Sequence, residues 1–217
     1  MQPLLSHRSE KIIIPGPAGA LEALLTLPTN NCSDFVTIIC HPHPLYGGSM
    51  TNKVVTTIAK SCDELNMATI RFNYRGVGNS DGIYDNAKGE REDLLAIHAW
   101  AKNRFPHASY ILAGFSFGSY ICCAAAENIK PKALITIAPA IARQSYADVM
   151  TYKGQWWLIQ GEQDELTDAA TVFEWFKKHV SSTRIINIAN ASHFFHGCLP
   201  QLQHEIVNTI GPSILCR

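Results

Sequence analysis

Tyr110-Ile111-Leu112-Ala113-Gly114-Phe115-Ser116-Phe117-Gly118 is the stretch whose reading decides the fold of this chain. Its apolar first half reads as a strand over Ser109–Phe115, and the alanine- and cysteine-rich continuation reads as a helix over Phe117–Asn128. Between them stands G-x-S-x-G. A serine at the tip of a strand-to-helix turn is held at strained backbone angles. Glycines two residues before and two after remove side chains that would collide there. The helix that follows aims free N–H groups and the positive end of its dipole at the serine, where an oxyanion would be stabilised. The pentapeptide alone is common; a strand before it and a helix after it are the context its chemistry needs.

Outward from this turn, short apolar runs alternate with amphipathic segments. Lys11–Pro15 and Leu21–Pro28 read as strands joined by Gly16-Pro17-Ala18-Gly19, an antiparallel hairpin. Phe35–Cys40, Ala68–Tyr74, Ala133–Ala138, Gln155–Gly161 and Arg184–Ala189 read as further strands. Helices are expected from a cap at Thr51 or Asn52 to about Leu65, and over Ala87–Arg104, Asp168–Val180 and Cys198–Ile210. A hairpin followed by alternating strands and helices implies an α/β protein: a mostly parallel sheet covered by helices on both faces. No repeat, low-complexity tract or long linker divides the chain, so residues 1–217 read as one domain.

Composition narrows the function. Of 217 residues, 47% are hydrophobic and 17% charged, and 18 Lys+Arg balance 18 Asp+Glu. Zero net charge argues against a nucleic-acid partner. Seven cysteines, Cys32, Cys40, Cys62, Cys122, Cys123, Cys198 and Cys216, show no C-x-x-C spacing, and read as reduced packing residues. Met1–Glu10 lacks the apolar run of a signal peptide, and no apolar stretch reaches the ~18 residues of a membrane span. A cytoplasmic protein is expected.

Sheets of this kind place their sites beyond the carboxyl ends of the strands. A serine hydroxyl needs an adjacent base, and the base an orienting acceptor. The strand Trp156–Gln160 leads into Gly161-Glu162-Gln163-Asp164. Asp164 is the preferred acid, three residues past the strand-ending glycine; Glu162 and Glu165 compete with it. The last strand leads into Asn190-Ala191-Ser192-His193-Phe194-Phe195. His193 is the preferred base, with His196 as its competitor.

Serine, then aspartate, then histidine is the chain order of the α/β-hydrolases, and from about Lys11 onward the sequence resembles that superfamily. The resemblance sharpens at His41-Pro42-His43-Pro44-Leu45-Tyr46-Gly47-Gly48 and at Arg71-Phe72-Asn73-Tyr74-Arg75-Gly76-Val77-Gly78-Asn79-Ser80-Asp81-Gly82. These look like the small bacterial serine hydrolases without a lid, related to dienelactone hydrolase and to acylaminoacyl-peptidase-like enzymes. The short interval Pro139–Gly154, where many relatives insert a lid, implies an open, shallow pocket. The resemblance makes His41–Tyr46 the loop that supplies a second oxyanion donor beside the Phe117 N–H. Pro42 and Pro44 have no N–H; His43 and Leu45 are the candidates, with Tyr46 behind them. Leu45, Tyr46, Phe117 and Phe194 are candidate lining residues for an acyl group. His41-Pro42-His43 has a metal-ligand spacing but no further ligand cluster, so no metal and no cofactor are expected. Asp81 precedes the serine and reads as a turn residue.

The expected activity is hydrolysis of a small-molecule ester or related acyl substrate through an acyl-enzyme. The same three residues would also serve a peptidase or amidase, or an acyltransferase, and a non-catalytic binding protein can share the fold. Monomer and homodimer both remain open.

Overall fold

The structure, a computed structural model, describes residues 8–28, 34–146, 152–180 and 183–215. Cys32, Cys216, the chain before Arg8 and residues 147–151 of the Pro139–Gly154 interval lie outside the described residues.

The hairpin consists of β1 (Arg8–Gly16) and β2 (Gly19–Leu27), with Gly16 opposite Gly19 across the turn. Then come β3 (Phe35–Cys40), α1 (Lys53–Glu64), β4 (Ala68–Phe72), α2 (Lys88–Arg104), β5 (Ser109–Phe115) and α3 (Phe117–Ile129). The second half adds β6 (Ala133–Ile137), β7 (Gln155–Gly161), α4 (Ala169–His179), β8 (Thr183–Ile188), α5 (Leu199–His204) and α6 (Gly211–Leu215). All eight strands form one sheet in the order β1-β2-β4-β3-β5-β6-β7-β8. The pairs β1/β2 and β2/β4 are antiparallel and the rest parallel.

The two faces follow from the alternation of side chains along each strand. Ile38, Cys40 and Leu112 pack on one face with Ile97 of α2, Ile121 of α3 and Phe176 of α4. Ile39, Ile111 and Ala113 pack on the other with Val55 and Ile58 of α1 and with Leu202 and Ile214 of the C-terminal helices. Covered on both sides, β6 is buried at every residue, as a central parallel strand should be.

The crossover that positions the site lies between β3 and β5. From β3 the chain steps to β4 on one side, then returns through α2 to β5 on the other. Loops leaving the ends of β3 and β5 therefore part in opposite directions, opening a crevice at the point where the strand order reverses. His41 begins one of those loops and Ser116 stands on the other.

The expected C-terminal helix, ended in the sequence reading at Ile210, runs on to Leu215. Its middle, Glu205–Ile210, has π geometry. Pro212 gives no backbone N–H and its ring would crowd the carbonyl of Asn208; a widened turn just before it lets the helix pass. The Arg71–Gly82 segment is an anchored loop. Asn73 accepts from the Met50 N–H at 2.8 Å and donates to Glu22 at 2.7 Å, while Ser80 donates to the Asn73 carbonyl at 2.8 Å. Asp81 accepts from the Ala20 N–H at 2.7 Å, a bond that ties this loop to the β1–β2 hairpin. Among the described residues no helix is long and apolar enough to cross a membrane.

Candidate active site

Ser116 occupies the turn between β5 and α3 at φ 54° and ψ −115°, a conformation rarely adopted by a residue with a side chain. Its surroundings hold it there. The Ser116 N–H donates to the Ile137 carbonyl at 2.8 Å, and Ser119 Oγ donates to the Gly114 carbonyl at 2.7 Å. The glycines are required for space. A Cβ on Gly114 would lie 2.3 Å from the Gly118 carbonyl oxygen, and one on Gly118 would lie 2.2 Å from that of Cys40.

His193 Nε2 lies 3.1 Å from Ser116 Oγ, and His193 Nδ1 lies 2.8 Å from Asp164 Oδ2. The structure thus brings together three residues that stand 77 and 29 positions apart in the chain. Asp164 can accept only as a carboxylate here. Oδ2 also takes the Gln160 side-chain amide at 2.8 Å, and Oδ1 takes the N–H groups of Leu166 and Thr167, both at 2.9 Å. Burial pushes its pKa up, but the His193 ring and these donors outweigh burial and hold the carboxyl below the usual aspartate range. The accepting carboxylate requires Nδ1 to carry the proton, which leaves Nε2 a lone pair for the serine hydroxyl. His193 is 2% exposed, so the pair lies in a setting that water weakens little.

The other acids of the β7–α4 turn hold the histidine loop. Glu162 accepts from the Asn190 N–H at 3.1 Å and Glu165 from the His193 N–H at 3.0 Å. The Gln163 N–H donates to the Ala191 carbonyl at 2.9 Å. A Cβ on Gly161 would lie 2.5 Å from that same carbonyl, so the two loops touch backbone to backbone. His196, the competing base, lies tilted against Phe194 with ring centroids 5.9 Å apart and is not part of this hydrogen-bonded chain.

Beyond β3, His41 is buried with both ring nitrogens occupied. Nε2 accepts from the Tyr74 N–H at 3.2 Å, and Nδ1 donates to the Pro42 carbonyl at 2.6 Å. Burial drives its pKa down to about 3. His41 therefore has no lone pair left for a metal, and the H-x-H pattern serves the loop. His43 Nδ1 accepts from the Leu45 N–H at 3.3 Å, and its Nε2 faces the Tyr84 hydroxyl at 3.3 Å. Burial, with Arg143 nearby, lowers the His43 pKa.

That bond takes the Leu45 N–H away from the cleft. The Leu45 N–H is turned to the His43 ring, and the Leu45 side chain, 66% exposed, is outside the cleft. Leu45 thus fits neither the donor nor the lining role expected for it. The short 3₁₀ turn Pro44–Tyr46 points it outward. Phe117, the first residue of α3, has no acceptor for its N–H inside the helix. His43 and Phe117 both face the cleft, and their rings lie 4.8 Å apart. The Tyr46 N–H is spent on the His43 carbonyl at 3.1 Å, although its side chain does line the cleft.

The cleft above Ser116 and His193 measures about 360 Å³. Tyr46, Leu166 and Phe194 form an apolar rim, all three exposed. Among the described residues no group of three or more His, Cys, Asp or Glu side chains could hold a metal.

Residues 38–153 match the family model for the alpha/beta hydrolase fold. The chain belongs to the alpha/beta hydrolase family. An a/b serine hydrolase without a lid from Xanthomonas campestris is 35% identical, with all of both chains covered and a TM-score of 0.92. An alpha-beta serine hydrolase homologue from Coxiella burnetii is 42% identical over 93% of this chain and 97% of that one, with a TM-score of 0.89. A mitochondrial palmitoyl-protein thioesterase of Rattus norvegicus is 36% identical over 101 residues, 45% of this chain and 33% of that protein.

In this hydrolase Glu162 and Glu165, rivals of Asp164 in the sequence, are anchors of the histidine loop. The signal was present as a cluster of acids facing Asn190–His193, but side-chain-to-backbone bonds between distant loops have no periodicity to betray them. Ala140, Arg143, Gln144 and Leu166 also line the cleft and carried no motif.

Proposed function

We propose that this alpha/beta hydrolase is a serine hydrolase that cleaves small carboxylic esters and related acyl compounds through an acyl-enzyme. The observation that carries the reading is the continuous chain Asp164–His193–Ser116 at 2.8 and 3.1 Å, opening onto a cleft. Ser116 Oγ attacks the acyl carbon as its proton passes to His193 Nε2. The carbonyl oxygen, now an oxyanion, is received by the N–H groups of Phe117 and His43. Asp164 keeps the ring in the required tautomer and stabilises the imidazolium. The tetrahedral adduct collapses, the bond to the leaving oxygen breaks, and His193 returns its proton to that oxygen. Water then attacks the acyl-enzyme with His193 again as base, and the acid departs.

The apolar rim, and the likeness to a serine hydrolase without a lid, support short or partly solvated acyl groups. The partial match to a thioesterase supports thioesters as a related class. Among the described residues five cysteines are buried and free, which supports a reducing compartment such as the cytoplasm.

The test is labelling with a fluorophosphonate, with Ser116→Ala as control, followed by nitrophenyl esters and acyl thioesters of rising chain length. Labelling confined to the intact serine, with turnover falling as the chain outgrows the cleft, is expected. Failure of the wild-type protein to label would sink the reading.

A further inference from the structure

The charge inventory of the cleft is lopsided. Among the described residues no aspartate or glutamate lines it, and the polar residues Asn52 and Gln144 are neutral. Arg143 is the one lining side chain with a fixed charge. Among the described residues no carboxylate pairs with it. Its guanidinium lies 5.9 Å above the Tyr46 ring. The Tyr46 ring lies 4.8 Å from that of His43, which in turn lies 4.8 Å from that of Phe117. A row of rings therefore leads from the residue after the nucleophile to the Arg143 guanidinium. An exposed arginine in water needs no partner, but one lining a cleft whose described walls carry no acid attracts anions into it and favours them once bound.

We propose that this hydrolase selects acyl substrates that carry a carboxylate or comparable anionic group, and that Arg143 is the residue that recognises it. This rests on the serine-hydrolase reading and names its substrate class. The anion interacts with the planar guanidinium fork, while the uncharged part of the substrate lies along Tyr46 and the apolar rim toward Ser116. Arg143 takes no part in bond making; its contribution is to substrate binding.

The test compares matched pairs. One pair places the charge on the acyl chain: the mono-para-nitrophenyl ester of adipic acid against para-nitrophenyl hexanoate. The other places it on the leaving group: a carboxylated nitrophenyl butyrate against para-nitrophenyl butyrate. In wild-type protein the anionic member of at least one pair is expected to have a roughly two- to fivefold higher kcat/KM, the size of one charge pair in a solvent-filled cleft. The gain should lie mainly in KM and shrink with added salt. Arg143→Gln should abolish the preference, Arg143→Glu reverse it, and Arg143→Lys retain part of it. Equal handling of both members of both pairs, or a preference that survives in Arg143→Gln, overturns the proposal. If wild-type protein still labels with fluorophosphonate in that case, the hydrolase reading stands without it. Absence of both labelling and turnover removes the two together.

Discussion

The His193 N–H donates to Glu165 Oε2 at 3.0 Å, one residue along from the carboxylate that holds the ring of the same histidine at 2.8 Å. One turn therefore grips the base at its backbone and at its imidazole. Glu165 is itself exposed. Glu165→Ala should lower kcat about tenfold with little change in KM or in stability, the loss expected when a base is held less firmly. Glu165→Gln, whose amide oxygen still accepts, should keep most of the activity. Steady-state kinetics on a nitrophenyl ester decide; equal losses in the two variants would assign the effect to charge.

Two glycines should respond differently to alanine. At Gly118 the added methyl would sit 2.2 Å from the Cys40 carbonyl oxygen, so β3 and α3 must move apart. That should cost about 3 kcal/mol in urea unfolding. At Gly47 the methyl meets no atom within 4 Å, but φ is +77°. The cost there is conformational and should be about 1 kcal/mol.

His41 makes stability depend on pH. Its pKa is about 3 in the folded protein against 6.5 for an ordinary histidine. Below pH 6.5 the unfolded chain therefore binds a proton that the native state refuses. Stability from this residue is complete above that pH and is lost as pH falls toward 3, by about 1.4 kcal/mol for each pH unit. His41→Asn should be less stable at neutral pH yet show a flatter slope of stability against pH on the acid side. Urea midpoints through that window provide the check; parallel slopes would move the effect to other groups.

Asp93 is fully buried and neutralises Arg75, accepting from Nη2 at 2.8 Å, from Nε at 3.1 Å and from the backbone N–H at 2.9 Å. Asp93→Asn leaves a largely buried guanidinium with Glu92, exposed and 3.5 Å away, as its remaining ion-pair partner, and should cost about 3 kcal/mol. Combining it with Arg75→Gln removes that cation, so the double variant should recover part of the loss in thermal or urea melts. A double variant as unstable as the sum of the singles would mean that packing, and not charge, is what Asp93 supplies.

Much of this architecture was legible from the sequence because it is written in local patterns. Strand and helix runs, the hairpin glycines and the G-x-S-x-G turn all have short-range causes, and Ser116, Asp164 and His193 follow from their places after strands. Other features have no such trace. The order of β3 and β4 in the sheet depends on which way a crossover turns. The helix that passes Pro212 depends on a widened turn that no single residue announces. Leu45 was a sound candidate until the His43 ring, two residues away, took its N–H. Glu165 and Arg143 act across loops far apart in sequence, where neither spacing nor composition reports the contact.

The close backbone contacts at Gly114, Gly118 and Gly161 belong to the buried frame, whereas Tyr46, Arg143, Leu166 and Phe194 stand exposed around the opening. On the proposed reading, the machinery that moves a proton and the surface that chooses a guest are built from separate parts. Exchanging those four outer side chains can redirect what the molecule admits at little cost in folding energy, which makes this rim the natural place to retune the enzyme by design.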